Sequence, residues 1–332
     1  MRYYDVFNGD ADGICALHQL RLADPLDSTL VTGLKRDIAL LSAVPAGDGD
    51  VVTVLDISMD RNREALRALL DRGVVVHYFD HHYSGAIPAH PLLRTMLDDS
   101  GRECTSALVN RYLGGSYPIW AAVGAFGDAF DDAGLELVRP LRLDEGRVAL
   151  LRELGASLNY SAYGETEADV LVAPATLYRI VSHYADPFEL MEREPLVERL
   201  GRDRVADIER AFATVAAHAS PGGDVWKLPD AAWARRVSGT FANRLALIEP
   251  HRAHAVLTPL ASGQYMASVR CPSGSATSAV DFCRRFQGGG RATAAGIDRL
   301  EPARVDGFIE AFDAAWPGTR ARPTPARAPA SA

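Results

Sequence analysis

Three short apolar runs in the first 82 residues, at 3–7, 51–55 and 74–79, each lead directly into a polar cluster. Asn8-Gly9-Asp10-Ala11-Asp12-Gly13 follows the first, Asp56 the second and Asp80-His81-His82 the third. Runs this short and this largely apolar read as strands buried on both faces, the pattern of parallel sheets covered by helices on each side. The intervening segments have helical spacing, with Ile14, Leu17 and Leu20 to Leu22 in one and Leu66, Leu69 and Leu70 in the next. A further apolar run at 29–34 completes a β-α-β unit within about thirty residues. Helices are also expected over 104–112 and 120–126. The predicted fold class is therefore α/β, with a doubly wound, mainly parallel sheet over residues 1–135.

Beyond residue 135 the pattern changes. Residues 136–221 are rich in Leu, Glu and Arg at helical spacing and read as a helical connector, with residues 158–164 (Leu-Asn-Tyr-Ser-Ala-Tyr-Gly) as a polar, aromatic loop inside it. Pro221-Gly222-Gly223 marks a break. Residues 222–316 then read as a second, smaller α/β domain. In it, 253–260 and 265–270 are the arms of a hairpin, 278–286 is a helix, and a Gly288-Gly289-Gly290-Arg291 turn follows. The Pro-, Ala-, Thr- and Arg-rich stretch 317–332 cannot build a core and is expected to be disordered.

Composition narrows the function classes. A chain of 332 residues, 48% of them hydrophobic, suits two compact domains. No run approaches the roughly 18 apolar residues of a membrane span, and Met1-Arg2-Tyr3-Tyr4-Asp5 lacks the regions of a secretory signal, so the expectation is a cytoplasmic protein with no membrane partner. Cys15, Cys104, Cys271 and Cys283 have no paired spacing, which leaves reduced thiols as the default. A net charge of −8 argues against coating long duplex nucleic acid.

In an open parallel sheet, ligands bind beyond the carboxyl ends of the strands, where Asp10, Asp12, Asp56 and His81 are all expected. Taken singly, Asp12 reads equally as a helix N-cap and Asp56 as a turn or cap, while a mere polar strand exit is the weaker reading of the paired histidines. Their coincidence at three strand ends favours a metal site. Asp10 and Asp12 stand two apart between glycines, so they could diverge toward two adjacent cations bridged by Asp56. Oxygen and imidazole donors without thiolates favour two Mn²⁺ ions, with Mg²⁺ or another hard divalent ion as the alternative. Two such ions would activate a water between them and clamp a phosphoryl group during in-line attack.

Asp10-x-Asp12, Asp56 and Asp80-His81-His82 resemble the first three motifs of the DHH phosphoesterase family. Gly288 to Gly296 is similar to the glycine signature of the DHH-associated domain. The resemblance covers residues 1–130 and 235–300. It implies a hydrolase acting on a phosphate ester of a small nucleotide or a short single-stranded oligonucleotide, as oligoribonucleases of the family do. The family's fourth-motif ligand is best matched by Asp128, with the nearby Asp131 and Asp132 as alternatives. Asp10 and Asp56 would then hold one ion, and Asp12, Asp56, His81 and Asp128 the other. Asp80 would orient a histidine, His82 would face the substrate phosphate, and Gly288, Gly289, Gly290 and Arg291 would bind substrate in a backbone cradle.

Two departures stand out. Asn8 lies where many members carry a His or Asp ligand, and it reads equally as a turn residue or a weak ligand. Arg291 replaces the usual His and brings a permanent charge suited to phosphate. The rival readings are a non-catalytic nucleotide sensor on the same fold and a single-strand exonuclease. Oligomeric state is open, with a homodimer among the options. Residues 159–164 read either as a nucleobase platform or as a packed loop. Cys104, with Thr105 and Ser106 at a helix start, reads either as an oxyanion neighbour or as a buried thiol.

Overall fold

The computed structural model describes residues 1–318, in two compact units, 1–206 and 207 onward. From residue 319 the expected disordered tail lies outside the described residues. No helix among the described residues is long and apolar enough to cross a membrane.

The first unit runs β1 (Tyr3–Asn8), α1 (Ala11–Ala23), β2 (Thr29–Gly33), β3 (Val51–Leu55), α2 (Arg63–Asp71), β4 (Val75–Asp80) and β5 (Leu93–Leu97). It continues with α3 (Thr105–Tyr112), α4 (Pro118–Gly127), α5 (Asp131–Val138), α6 (Glu145–Ser161), α7 (Pro174–Val181), α8 (Pro187–Arg193) and α9 (Pro195–Phe212), within which the division falls. Its five strands are all parallel, in the order β2-β1-β3-β4-β5. The expected doubly wound sheet is present, and the period-two rule explains how it is covered. Tyr4, Val6, Val52, Val54, Val76 and Tyr78 pack with Leu66, Leu69 and Leu70 on one face. Phe7, Leu55 and Phe79 join Ile14, Leu17 and Trp120 on the other.

The order of strands matters for function. The chain leaves β1 toward β2 and then returns to place β3 on the other side of β1. The two loops after β1 and β3 therefore diverge, opening a crevice at their carboxyl ends. Asp10 and Asp12 follow β1, and Asp56 follows β3.

Two expectations are corrected. Of residues 158–164 only 162–164 are a loop: α6 continues to Ser161, because Leu158, Tyr160 and Ser161 are buried. The connector 136–221 is not wholly helical, since β6 (Ala216–Ser220) lies in it, an Ala-rich edge strand with no apolar run to announce it. β5 is likewise unannounced, as an edge strand with only partly buried or exposed side chains.

The second unit adds β7 (Gly223–Lys227), α10 (Ala232–Ile248), β8 (Ala253–Pro259), β9 (Tyr265–Arg270), α11 (Ala279–Arg284), β10 (Gly289–Gly290), β11 (Ala294–Leu300) and α12 (Val305–Ala315). Its mixed sheet has the order β10-β11-β9-β8-β7-β6, with only β7 and β8 parallel. The anticipated β8–β9 hairpin is there. Val237, Phe241 and Leu245 of α10 cover one face with Val256 and Trp226, while Phe282, Phe308 and Phe312 cover the other with Val225, Ala255 and Leu257.

In the first unit α1 is buried from Ala11 to Leu20, which takes a histidine into the core. His18 Nε2–H donates to the Tyr184 carbonyl at 2.8 Å, and its ring meets Trp120 edge-on at 4.6 Å. Burial lowers its pKa from 6.5 to about 4, the hydrogen bond only partly opposing. The charged form is thus favoured in the unfolded chain. The resulting stability is present above the unfolded pKa of 6.5 and is lost as pH falls toward 4. The loss should be about 3 kcal/mol. Urea unfolding at mildly alkaline and mildly acidic pH should show it, and His18→Gln should flatten the pH dependence. An unchanged slope in that variant would refute the assignment.

Candidate metal centre

Asp10 caps α1 from an extended backbone: its Oδ1 accepts the N–H groups of Asp12 at 3.1 Å and Gly13 at 3.2 Å. Asp12, in the first turn of the helix, faces the N-terminus of α3, where Thr105 N–H donates to Oδ2 at 2.7 Å and Ser106 N–H to Oδ1 at 2.8 Å. Helix N-termini carry partial positive charge, so this placement supports a buried carboxylate. Asp56 leaves β3 with φ +60°, a left-handed conformation that costs a non-glycine residue of order 1–3 kcal/mol. That turn carries the buried side chain into the crevice, where Thr105 Oγ1 donates to its Oδ1 at 3.0 Å.

His81 brings the acids together. Its Nε2 lies 3.3 Å from Asp56 Oδ1, 3.5 Å from Asp128 Oδ2 and 4.0 Å from Asp12 Oδ2. Nε2 is buried and makes no hydrogen bond. Asp128 follows α4, so the fourth-motif candidate is in the cluster. Asp80 and His82 flank it: His82 Nδ1 pairs with Asp80 Oδ1 at 2.7 Å while its side chain is 43% exposed. Burial disfavours the imidazolium of His82, but the hydrogen bond and charge of Asp80 outweigh it and raise its pKa.

Crowding dominates the electrostatics. Burial, with Asp12, Asp10, Asp128 and Asp80 nearby, pushes the Asp56 carboxyl well above the usual carboxylate range. Burial also raises Asp128, with Lys35 opposing. A cluster of this kind is stabilised by a cation. Buried carboxylate oxygens around one unsatisfied imidazole nitrogen form a donor set that suits a hard to borderline divalent ion. Cys15 and Cys104 are buried free thiols, their pKa values raised by burial, and offer no thiolate.

No protein-family model and no curated protein sequence matches the chain. Solved structures do match it. The exonuclease RecJ bound to manganese aligns with a TM-score of 0.63 at 20% identity, over 94% of this chain and 89% of that one. RecJ from Thermus thermophilus in complex with Mn²⁺ aligns at 0.65 and 19% identity, over 94% of this chain and 51% of the other, so this chain spans about half its length. PggH, a pGpG-specific phosphodiesterase from Vibrio cholerae, aligns at 0.52 and 12% identity, over 93% and 97%. The chain has the DHH-family fold.

One residue at this edge of the DHH fold carries no motif in the sequence. Lys35, two residues beyond β2, reaches Asp10 Oδ2, Asp128 Oδ1 at 2.8 Å and Asn159 Oδ1 at 3.1 Å. Its position at the carboxyl end of a parallel strand is the available signal. Burial opposes the ammonium, and Asp10, Tyr163 and Asp128 outweigh it, raising its pKa well above the ordinary value. Burial likewise opposes ionisation of Asp10, but Lys35 and the Gly13 N–H carry its pKa below the ordinary value. Asn159, read as part of a possible nucleobase platform, thus serves the lysine and also donates to Tyr163 Oη at 3.2 Å. Asn8 Oδ1 accepts the Asp10 N–H at 3.3 Å, and its Nδ2 donates to the Lys35 carbonyl at 3.3 Å.

Gly288, Gly289, Gly290 and Arg291 belong to the second unit. Gly289 and Gly290 form β10, while the N–H groups of Gly288 and Arg291 bind the carbonyls of Cys283 at 2.9 Å and Ala294 at 2.8 Å. The first of these donors is thereby engaged at the end of α11 and the second in the β10–β11 turn. The Arg291 side chain is exposed. Asp224, Glu249 and His254 of the same unit also gather at ligating distance, but both His254 nitrogens have protein partners, Asp224 Oδ1 at 2.9 Å and the Glu249 carbonyl at 3.2 Å.

The centre depends on close backbone approach. A Cβ at Gly124 in α4 would stand 2.2 Å from Ser106 Oγ and 3.1 Å from Asp12 Oδ1. Gly124→Ala should therefore destabilise the protein by about 1–3 kcal/mol through overpacking. Thermal and urea unfolding check this, and wild-type stability in the variant would disprove the packing account.

Proposed function

We propose that the chain is a metal-dependent phosphoesterase that hydrolyses a phosphate ester of a small nucleotide or short oligonucleotide. The observation that carries this reading is the unsatisfied Nε2 of His81 facing Asp56, Asp128 and Asp12 at the switch point of the sheet. Asp12, Asp56, His81 and Asp128 would hold the divalent ion, with Mn²⁺ or Mg²⁺ the candidates, as both accompany RecJ in solved structures. Bound there, the ion supplies the Lewis acidity that activates water and offsets charge on a phosphoryl group.

The chain's own residues would do the rest. Thr105 and Ser106 hold Asp12, and Thr105 also holds Asp56, so the ligating oxygens are oriented in advance. His82, protonated more readily because of Asp80 and partly exposed, would donate to a phosphate oxygen. Arg291, exposed in the second unit, carries a forked cation of the kind that suits a phosphate.

The RecJ neighbours support a second reading, single-strand exonuclease action. The net charge of −8 favours the small substrate, because long strands are held chiefly through phosphate contacts. A Mn²⁺-supported screen of dinucleotides, cyclic dinucleotides, 3′-phosphoadenosine 5′-phosphate, pyrophosphate and single strands, resolved by chromatography, separates them. Turnover of a short substrate is expected. Asp56→Asn and His81→Ala should lower kcat by about 100-fold or more, with unchanged circular dichroism. Tight nucleotide binding without product would identify a sensor instead, and degradation confined to long strands would identify an exonuclease.

A further inference from the structure

We propose that the Lys35 ammonium takes the place of the first of the two cations anticipated at this sheet edge, so that the centre binds one divalent ion, through Asp12, Asp56, His81 and Asp128. The inference rests on the metal-dependent reading above and deepens it. An ammonium has three N–H donors, and Lys35 directs them at three oxygens: Asp10 Oδ2, Asp128 Oδ1 and Asn159 Oδ1. Its hydrogen-bonding capacity is filled in the space that Asp10 borders.

The lysine is held there by its own backbone. Its N–H donates to the Ala162 carbonyl at 3.1 Å, and its carbonyl accepts from Asn8 Nδ2 at 3.3 Å. Asn8, the residue expected as a turn or a weak ligand, spends both ends of its amide on this arrangement, since its oxygen accepts the Asp10 N–H. The remaining oxygen of Asp10 accepts from the first turn of α1. Asn8 and Asp10 are thus engaged with N–H donors on the Lys35 side.

The other side differs. His81 Nε2 is buried, makes no hydrogen bond, and faces Asp56 Oδ1 and Asp128 Oδ2. Asp128 spans the two positions, giving one oxygen to the ammonium and turning the other toward His81. One divalent ion and one ammonium offset most of the charge that the four carboxylates Asp10, Asp12, Asp56 and Asp128 can carry. A second divalent ion would have to sit against the lysine. An ammonium offers no open coordination position, so a substrate phosphate would meet a single ion, together with His82.

The test counts ions and needs no substrate. Metal-free protein is dialysed against Mn²⁺ alone, bound metal is measured by inductively coupled plasma mass spectrometry, and spin coupling by electron paramagnetic resonance. One uncoupled Mn²⁺ per chain is expected for the wild type and for Lys35→Arg, and two coupled ions for Lys35→Ala. Two coupled ions in the wild type would overturn the lysine inference and leave the metal reading standing. No bound ion would overturn both. Lys35→Ala that keeps wild-type circular dichroism yet binds one ion would also overturn it, and if that variant does not fold the wild-type count decides alone. One bound ion without hydrolysis of any nucleotide would refute the phosphoesterase reading and leave this one intact.

Discussion

Like charges brought out of water at one edge of a sheet are the constraint on which the first unit depends. Asp10, Asp12 and Asp56 are buried, and Asp128 lies among them. Carboxylates so placed repel one another and lose hydration, and either they take up protons or they acquire countercharge. The fold supplies part of that countercharge from three sources. Two helix N-termini donate to Asp10 and Asp12, and an ammonium joins Asp10 to Asp128. The raised pKa of Asp56 marks where compensation is incomplete, which is also where His81 points.

The surrounding architecture serves that edge. Parallel pairing sends every strand's carboxyl end to one side, and the switch between β1 and β3 separates the loops carrying Asp10, Asp12 and Asp56. Tight packing then fixes distances. Gly13 and Gly124 admit Asn8 and Ser106 at separations that a Cβ would forbid. The left-handed Asp56 and the half-exposed His82 are local concessions, a strained turn and an imidazole open to solvent, at the place where a ligand would approach.

The second unit solves a different problem. Its mixed sheet is covered by α10 on one side and by the aromatic side chains of α11 and α12 on the other. Its buried His254 is satisfied internally, bonding through both ring nitrogens. Its glycines are shared between a strand and its turn, so the exposed guanidinium of Arg291, more than free backbone amides, is its distinctive surface group.

Local pattern makes much of this legible. Apolar runs with period-two faces, helical spacing between them and acids at the strand ends are enough to expect a doubly wound sheet and to bring Asp10, Asp12, Asp56 and His81 into one candidate cluster, whereas Asp128 entered only through the resemblance to the DHH family. Edge strands β5 and β6 escape because their side chains are only partly buried, leaving no apolar signature. Residues 158–161 read as a loop because their polar side chains meet polar partners inside the protein, which composition alone cannot distinguish from exposure to water.

The sequence by itself determined the central strands of the parallel sheet, the helices between them and the donor types at the sheet edge, since these follow from periodicity and side-chain chemistry within a few residues. Only the tertiary structure decided the partners of Lys35, because Asp10, Asp128 and Asn159 lie far from it along the chain and meet it through helix packing. The same is true of the α3 N-terminus on Asp12. Long-range electrostatic partners are set by the packing of whole elements, and a one-dimensional pattern does not carry that information.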